Sequence, residues 1–112
     1  MSNSAVVLIN TFDVPVGDEE AFEREWDRVH EFLMVQDGYR SSQLHRSVGP
    51  HADSRYVNVA VWDSEDAFTA ATQRAEFQST AFPYPYHALP YEVVRADQHW
   101  EAPSQPLQAA LA

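Results

Sequence analysis

Apolar residues recur in this chain at two spacings, and the alternation between them predicts its elements in order. Residues 55–62, Arg-Tyr-Val-Asn-Val-Ala-Val-Trp, set Val57, Val59 and Val61 against Tyr56, Asn58, Ala60 and Trp62. That period of two predicts a strand. One face is purely β-branched and suited to packing. The other carries an amide and an indole four residues apart, hence on the same side. Asp63 or Ser64 then suits a helix N-cap, and acidic residues in the first turn favour the helix dipole.

Upstream, Ala5 to Phe12 is a first strand of nearly continuous apolar character, interrupted by Asn10. After the connection Val14-Pro15-Val16-Gly17, a helix opens at Asp18 or its neighbour. Its apolar residues fall at Phe22, Trp26, Val29 and Leu33, an i, i+4, i+7, i+11 stripe. Asp37-Gly38 ends it, with the glycine supplying a left-handed cap or turn. Tyr39 to Val48 is a second strand, with Arg40, Ser42, Leu44 and Arg46 on one face and Ser41, Gln43 and His45 on the other. The segment from Gly49 to Asp53 makes a hairpin-type loop. The second helix buries Ala67, Phe68 and Ala71 and resumes as a short turn around Ala75 to Thr80. Phe82 to Pro90 is expected to be irregular, because three prolines interrupt it. Tyr91 to Arg95 is then the last strand. The domain is expected to span residues 1–96, and residues 97–112 form a polar, alanine-rich tail, either disordered or laid as an arm on a partner subunit.

The order β-α-β-β-α-β is the ferredoxin-like arrangement of an α+β fold. Two helices cover one face of its sheet and leave the other open. Here the strands are apolar on both faces, with Val6 and Leu8 alternating with Val7 and Ile9. An exposed apolar face of that size favours association, so a homodimer that stacks the two sheets is expected.

Composition narrows the functional classes. A chain of 112 residues with 45% apolar residues supports one domain with a real core. It has no run of 18 apolar residues, so no membrane span is expected. The start, Met-Ser-Asn-Ser, has neither the basic residues nor the apolar stretch of a secretory leader. Without cysteine, disulfides, zinc-thiolate sites and a cysteine nucleophile are unavailable. A cytoplasmic location is the expectation. Seven basic against seventeen acidic residues leave a net charge of -10, which argues against nucleic acid as a partner. All seven basic residues are arginine, which excludes a Schiff base on a lysine side chain. The histidines show no metal spacing, and no phosphate loop, dinucleotide fingerprint or nucleophile elbow is present.

The segment Val57-Asn-Val-Ala-Val-Trp62-Asp-Ser-Glu-Asp-Ala-Phe68, with Asp37-Gly38-Tyr39 and Pro90-Tyr91-Glu92-Val93-Val94, resembles the antibiotic biosynthesis monooxygenase family. The resemblance runs roughly from Val6 to Arg95 and implies a dimeric α+β barrel. Members from aromatic polyketide pathways hold an Asn and, four residues on, a Trp beside a phenolic substrate; Asn58 and Trp62 match them. Those enzymes oxidise an anthrone-type ring to a quinone with dioxygen and no cofactor. A Tyr that some carry six residues after the Trp is Phe68 here, which keeps the ring and loses the hydroxyl. A haem-degrading branch is similar at Asn10. Its helix-two Trp and axial His correspond to Ala71 and Ala81, so the resemblance implies no haem ligation of that kind.

These residues admit two readings each. Asn58 either satisfies neighbouring backbone groups or donates to a substrate carbonyl or developing oxyanion. Trp62 is a core residue, a flat wall for an aromatic substrate, or both. Asn10 lines a pocket or meets an edge. His45 is a satisfied surface or interface residue, or a general base, a role that imidazoles as a class suit. Tyr86 and His87, in a Pro/Tyr-rich segment with Tyr84, pack a loop or rim a pocket. The expected function is a cofactor-independent monooxygenase acting on an aromatic phenol with dioxygen, with Asn58, Trp62 and His45 catalytic and Asn10, Phe68, Tyr86 and His87 binding the substrate. The alternatives are a non-catalytic dimeric ligand binder or stress protein, and an oxygen-independent cyclase or isomerase.

Overall fold

Alternation on the central strands organises the structure, a computed structural model that describes residues 4–49, 55–74, 77 and 82–97. Strand β1 (Val6–Asp13) pairs with β3 (Arg55–Trp62), and each presents its even-numbered residues to the helices. Val6, Leu8, Phe12, Tyr56, Ala60 and Trp62 are buried there, and Asn58 is the one buried polar side chain among the described residues. The all-valine face of β3 is the outward one and is half-buried in the single chain. The aromatic stripe of the first helix selects the other face, where Tyr56 and Trp62 give rings for it to pack against.

Helix α1 (Glu19–Leu33) buries Phe22 completely and turns an ion-paired face, with Arg24–Glu20 and Arg28–Glu25, to solvent. It stops at Leu33, earlier than the expected Asp37-Gly38, and a turn carries the chain from there to β2 (Tyr39–Arg46). Gly38 sits in that turn with φ +88. Its carbonyl accepts from the Asp63 N–H at 2.7 Å, which ties the turn to the end of β3. Strand β2 ends at Arg46, two residues short of the expected Val48. Helix α2 (Glu65–Thr72) is capped by Ser64, whose Oγ accepts from the Ala67 N–H at 3.0 Å.

Strand β4 (Tyr86–Tyr91) corrects the sequence expectation. The segment Phe82 to Pro90 is not irregular throughout, and the last strand is not Tyr91 to Arg95, which is non-regular after Tyr91. The sheet order β2-β3-β1-β4 makes β4 an edge strand. Pro90 lies opposite Leu8, and on an edge its missing N–H leaves no second ladder unpaired. The four strands are antiparallel and two helices cover one face, so the fold is the ferredoxin-like β-α-β-β-α-β arrangement. The inner part of the loop from Gly49 to Asp53, the turn foreseen around Ala75 to Thr80 apart from Phe77, and the tail beyond Asp97 lie outside the described residues.

Gly38 gives the first prediction. A Cβ there meets the Cβ of Ala67 on α2, and its φ disfavours any L side chain, whereas Gly17, with φ +100, has nothing within 4 Å. Gly17→Ala should therefore show backbone strain alone, about 1 kcal/mol. Gly38→Ala adds the clash and should destabilise by about 2–3 kcal/mol. Paired thermal melts check this, and equal shifts for the two variants would contradict it.

Candidate active site

The helices cover the sheet without filling the space between. A cavity of about 490 Å³ remains over the middle of β1 and β3, within the range that holds small organic ligands. Its floor is Leu8, Asn10 and Phe12 from β1 with Asn58, Ala60 and Trp62 from β3. Trp26, Val29 and Leu33, three of the four residues of the α1 stripe, form one wall. Phe68 and Thr72 of α2 form another, and Phe82, Tyr86 and Ala88 close the β4 side.

Asn10 and Asn58 are directly opposed in the β1–β3 register. Opposed residues on one face of an antiparallel pair bring their side chains within about 5 Å. The Oδ1 atoms of both are buried without a hydrogen-bond partner. Leaving a buried polar atom unpaired costs about 1–3 kcal/mol, so the floor stores a demand that a donating hydroxyl or water meets. Rotation of an amide exchanges acceptor for donor, so the pair can serve either kind of group.

Trp62 is 1% exposed and is a wall and a core residue at once. Tyr39 meets it edge-on with ring centroids 5.4 Å apart, and Phe68 does the same at 5.7 Å. The structure thus brings Asn10, Asn58, Trp62, Phe68 and Tyr86 to one cavity, with Tyr86 at the rim and 57% exposed. It does not bring His45 or His87 there. His45 is exposed on the outward face of the sheet, its Nδ1 3.2 Å from the Val57 carbonyl oxygen. His87, opposite Thr11 on β1, is exposed on that same outward face.

Sequence reading missed Tyr39, Trp26 and Phe82 as cavity residues. Trp26 carries a signal in retrospect, because the stripe that packs a helix on a sheet also lines whatever gap remains. Tyr39 carries none. A bulge between Tyr39 and Ser41, which leaves Arg40 without a Cα partner on β3, turns both Tyr39 and Ser42 toward the helices.

Beside the cavity, Phe12, Val14, Phe22 and Tyr56 form a second cluster. The Tyr56 hydroxyl donates to Glu23 Oε2 at 2.6 Å, and Arg46 approaches the same oxygen at 3.4 Å. Burial, then the Glu23 carboxylate, pushes the Tyr56 phenol above its ordinary value, with Arg46 opposing. Burial and the nearby Asp18 raise Tyr84 as well.

Residues 5–81 match the antibiotic biosynthesis monooxygenase family. The chain belongs to that family. A candidate monooxygenase from Shewanella loihica PV-4 is 34% identical, with a TM-score of 0.76 over 86% of this chain and 100% of that one. SnoaB, a cofactor-independent oxygenase from Streptomyces nogalater, is 26% identical with a TM-score of 0.75, covering 86% of this chain and 99% of its own. A haem-degrading protein from Mycobacterium tuberculosis is 28% identical with a TM-score of 0.63, covering 83% of this chain and 98% of its own. No curated protein sequence matches the chain. Ala71 is packed in the core at 3% exposure, and Ala81 lies outside the described residues. Among the described residues no helix is long and apolar enough to cross a membrane.

The raised Tyr56 phenol makes a signed prediction. Its neutral form is favoured by folding, so that stabilisation is complete below about pH 10 and is lost as pH rises through the folded-state value. Tyr56→Phe should lower stability at neutral pH by about 1 kcal/mol and flatten the alkaline decline. Urea titrations across the alkaline range read both effects; an unchanged alkaline slope would contradict the assignment.

Proposed function

We propose that this chain is a cofactor-independent monooxygenase that oxidises an aromatic polyketide-type phenol to a quinone with dioxygen, working as a homodimer. The observation that carries the reading is the opposed pair of buried, unpartnered amide oxygens on the floor of an aromatic-lined cavity. A flat phenolic ring system fits between the sheet and the rings of Trp26, Phe68 and Phe82. Asn58 and Asn10 hydrogen-bond its oxygens. An amide turned with its NH₂ inward stabilises the negative charge that develops on the carbonyl as the ring becomes an enolate. Trp62 holds the plane of the ring.

The enolate is itself the reductant. Electron transfer to dioxygen followed by C–O bond formation gives a peroxide on the ring carbon, and loss of water leaves the new carbonyl. The balance is one CH₂ and one O₂ to one C=O and one H₂O. The likeness to SnoaB supports a reaction that draws on no metal or flavin.

Dissolved-oxygen uptake by metal-free protein supplied with dithranol, a dihydroxyanthrone, tests the reading. Uptake should exceed the protein-free rate and match quinone absorbance in stoichiometry. Asn58→Ala should lower kcat by about tenfold to a hundredfold. No uptake above the protein-free rate would overturn the oxygenase reading.

Homodimerisation rests on the outward sheet face. Val7, Ile9, Val57, Val59 and Val61 lie there half-buried, flanked by Leu89 and Tyr91, which are 44% and 45% exposed. A second copy stacked on this face removes it from water. Sedimentation should give twice the chain mass, and Val59→Glu, at the centre of the face, should give the monomer. A wild-type monomer would overturn the pairing.

A further inference from the structure

The cavity has an unusual chemical gap. Among the described residues its lining holds amides, hydroxyls and rings but no carboxylate, arginine or histidine. A ring that must lose a proton there needs an acceptor, and the lining offers none that is basic near neutrality. His45, considered for that role, is exposed on the opposite face of the sheet, as is His87.

Tyr39 bridges the gap. Its ring lines the cavity. Its hydroxyl oxygen lies 3.0 Å from Nε2 of His30, a residue outside the lining. The imidazole is held in place by stacking on Trp26, with ring centroids 4.7 Å apart and planes 10° from parallel. The bulge at Tyr39 aims the phenol at α1 and not away from it. With the His30 proton on Nδ1, Nε2 accepts from the Tyr39 hydroxyl, and the phenol oxygen keeps a lone pair for a group in the cavity.

We propose that Tyr39 and His30 are the proton-accepting pair of this site, with Tyr39 the catalytic residue in contact with the substrate and His30 the positioning residue that holds the proton behind it. The inference rests on the oxygenase reading for its substrate. The substrate proton passes to the Tyr39 oxygen as the Tyr39 proton passes to His30 Nε2, and the electron pair stays on the ring as the enolate. After dioxygen adds, the imidazolium returns its proton through Tyr39 to the peroxide anion. The hydroperoxide then loses water, and both residues regain their starting state.

Two variants separate this role from packing. Tyr39→Phe keeps the ring against Trp62 and removes only the hydroxyl. His30→Gln keeps an acceptor for Tyr39 but cannot carry the proton. With dithranol, both should lower kcat by about a hundredfold while KM changes by less than about threefold. A KM rise at unchanged kcat in either variant would overturn the proposal. The second readout needs no turnover. Danthron, the corresponding quinone, is yellow as the phenol and red as the phenolate. Bound to the wild-type protein it should shift toward the red band, and bound to either variant it should stay yellow. The same colour with all three proteins would overturn the proposal. Absence of oxygen uptake in the wild type would remove the oxygenase reading alone, because the colour test still decides whether the pair takes a phenolic proton.

Discussion

The pairing register of β1 and β3 is the constraint on which the cavity depends. It sets Asn10 opposite Asn58 and keeps both on the face that carries Leu8, Phe12, Ala60 and Trp62. A slip of one residue would turn every one of these side chains outward. The slip is opposed on both sides of the sheet, because the inward set packs on aromatic helices and the outward set is a continuous apolar face. Burial of Trp62, Tyr56 and Phe22 to 1%, 1% and 0% exposure locks the inward set in place. Two polar amides are thereby held in a position that local packing alone would give to apolar residues.

Rings support this arrangement on every side. Tyr39, Trp62 and Phe68 run edge-on from the start of β2 to α2, and Trp26 stacks on His30 along α1. Phe12, Phe22, Phe82 and Tyr84 form a second group near the start of α1. Such side chains fill space through large rigid areas, and rigid plates leave gaps where flexible chains would close them. The cavity is therefore a consequence of how the core is composed. The pairs Arg24–Glu20, Arg28–Glu25, Arg40–Asp63, Arg46–Glu23 and Arg55–Asp13, by contrast, lie on the surface, where each contributes little.

Much of this was legible in the sequence. Alternation at Val57–Trp62 and the α1 stripe were enough for the element order, and Asn58 stood out because an amide in an otherwise buried strand needs a partner. Asn10 was legible for the same reason. The proline-rich segment was not. Pro90 forbids a central strand, but the order β2-β3-β1-β4 puts β4 at an edge, where a missing donor goes unnoticed. His45 misled because a strand histidine looks identical from either face. Only the register shows that it shares the outward face with Val57 and lies across the sheet from Asn58.

The sequence by itself determined the periodicities, hence the two helices, the strands β1 to β3 and the amides that interrupt their apolar faces, because these depend on residues near one another along the chain. The tertiary structure alone decided which face of each strand turned inward, where the chain bulged, and that His30 and Tyr39 meet. Those outcomes depend on which strands become neighbours and how a helix lies across them. That is a matter of long-range packing, and no local pattern encodes it.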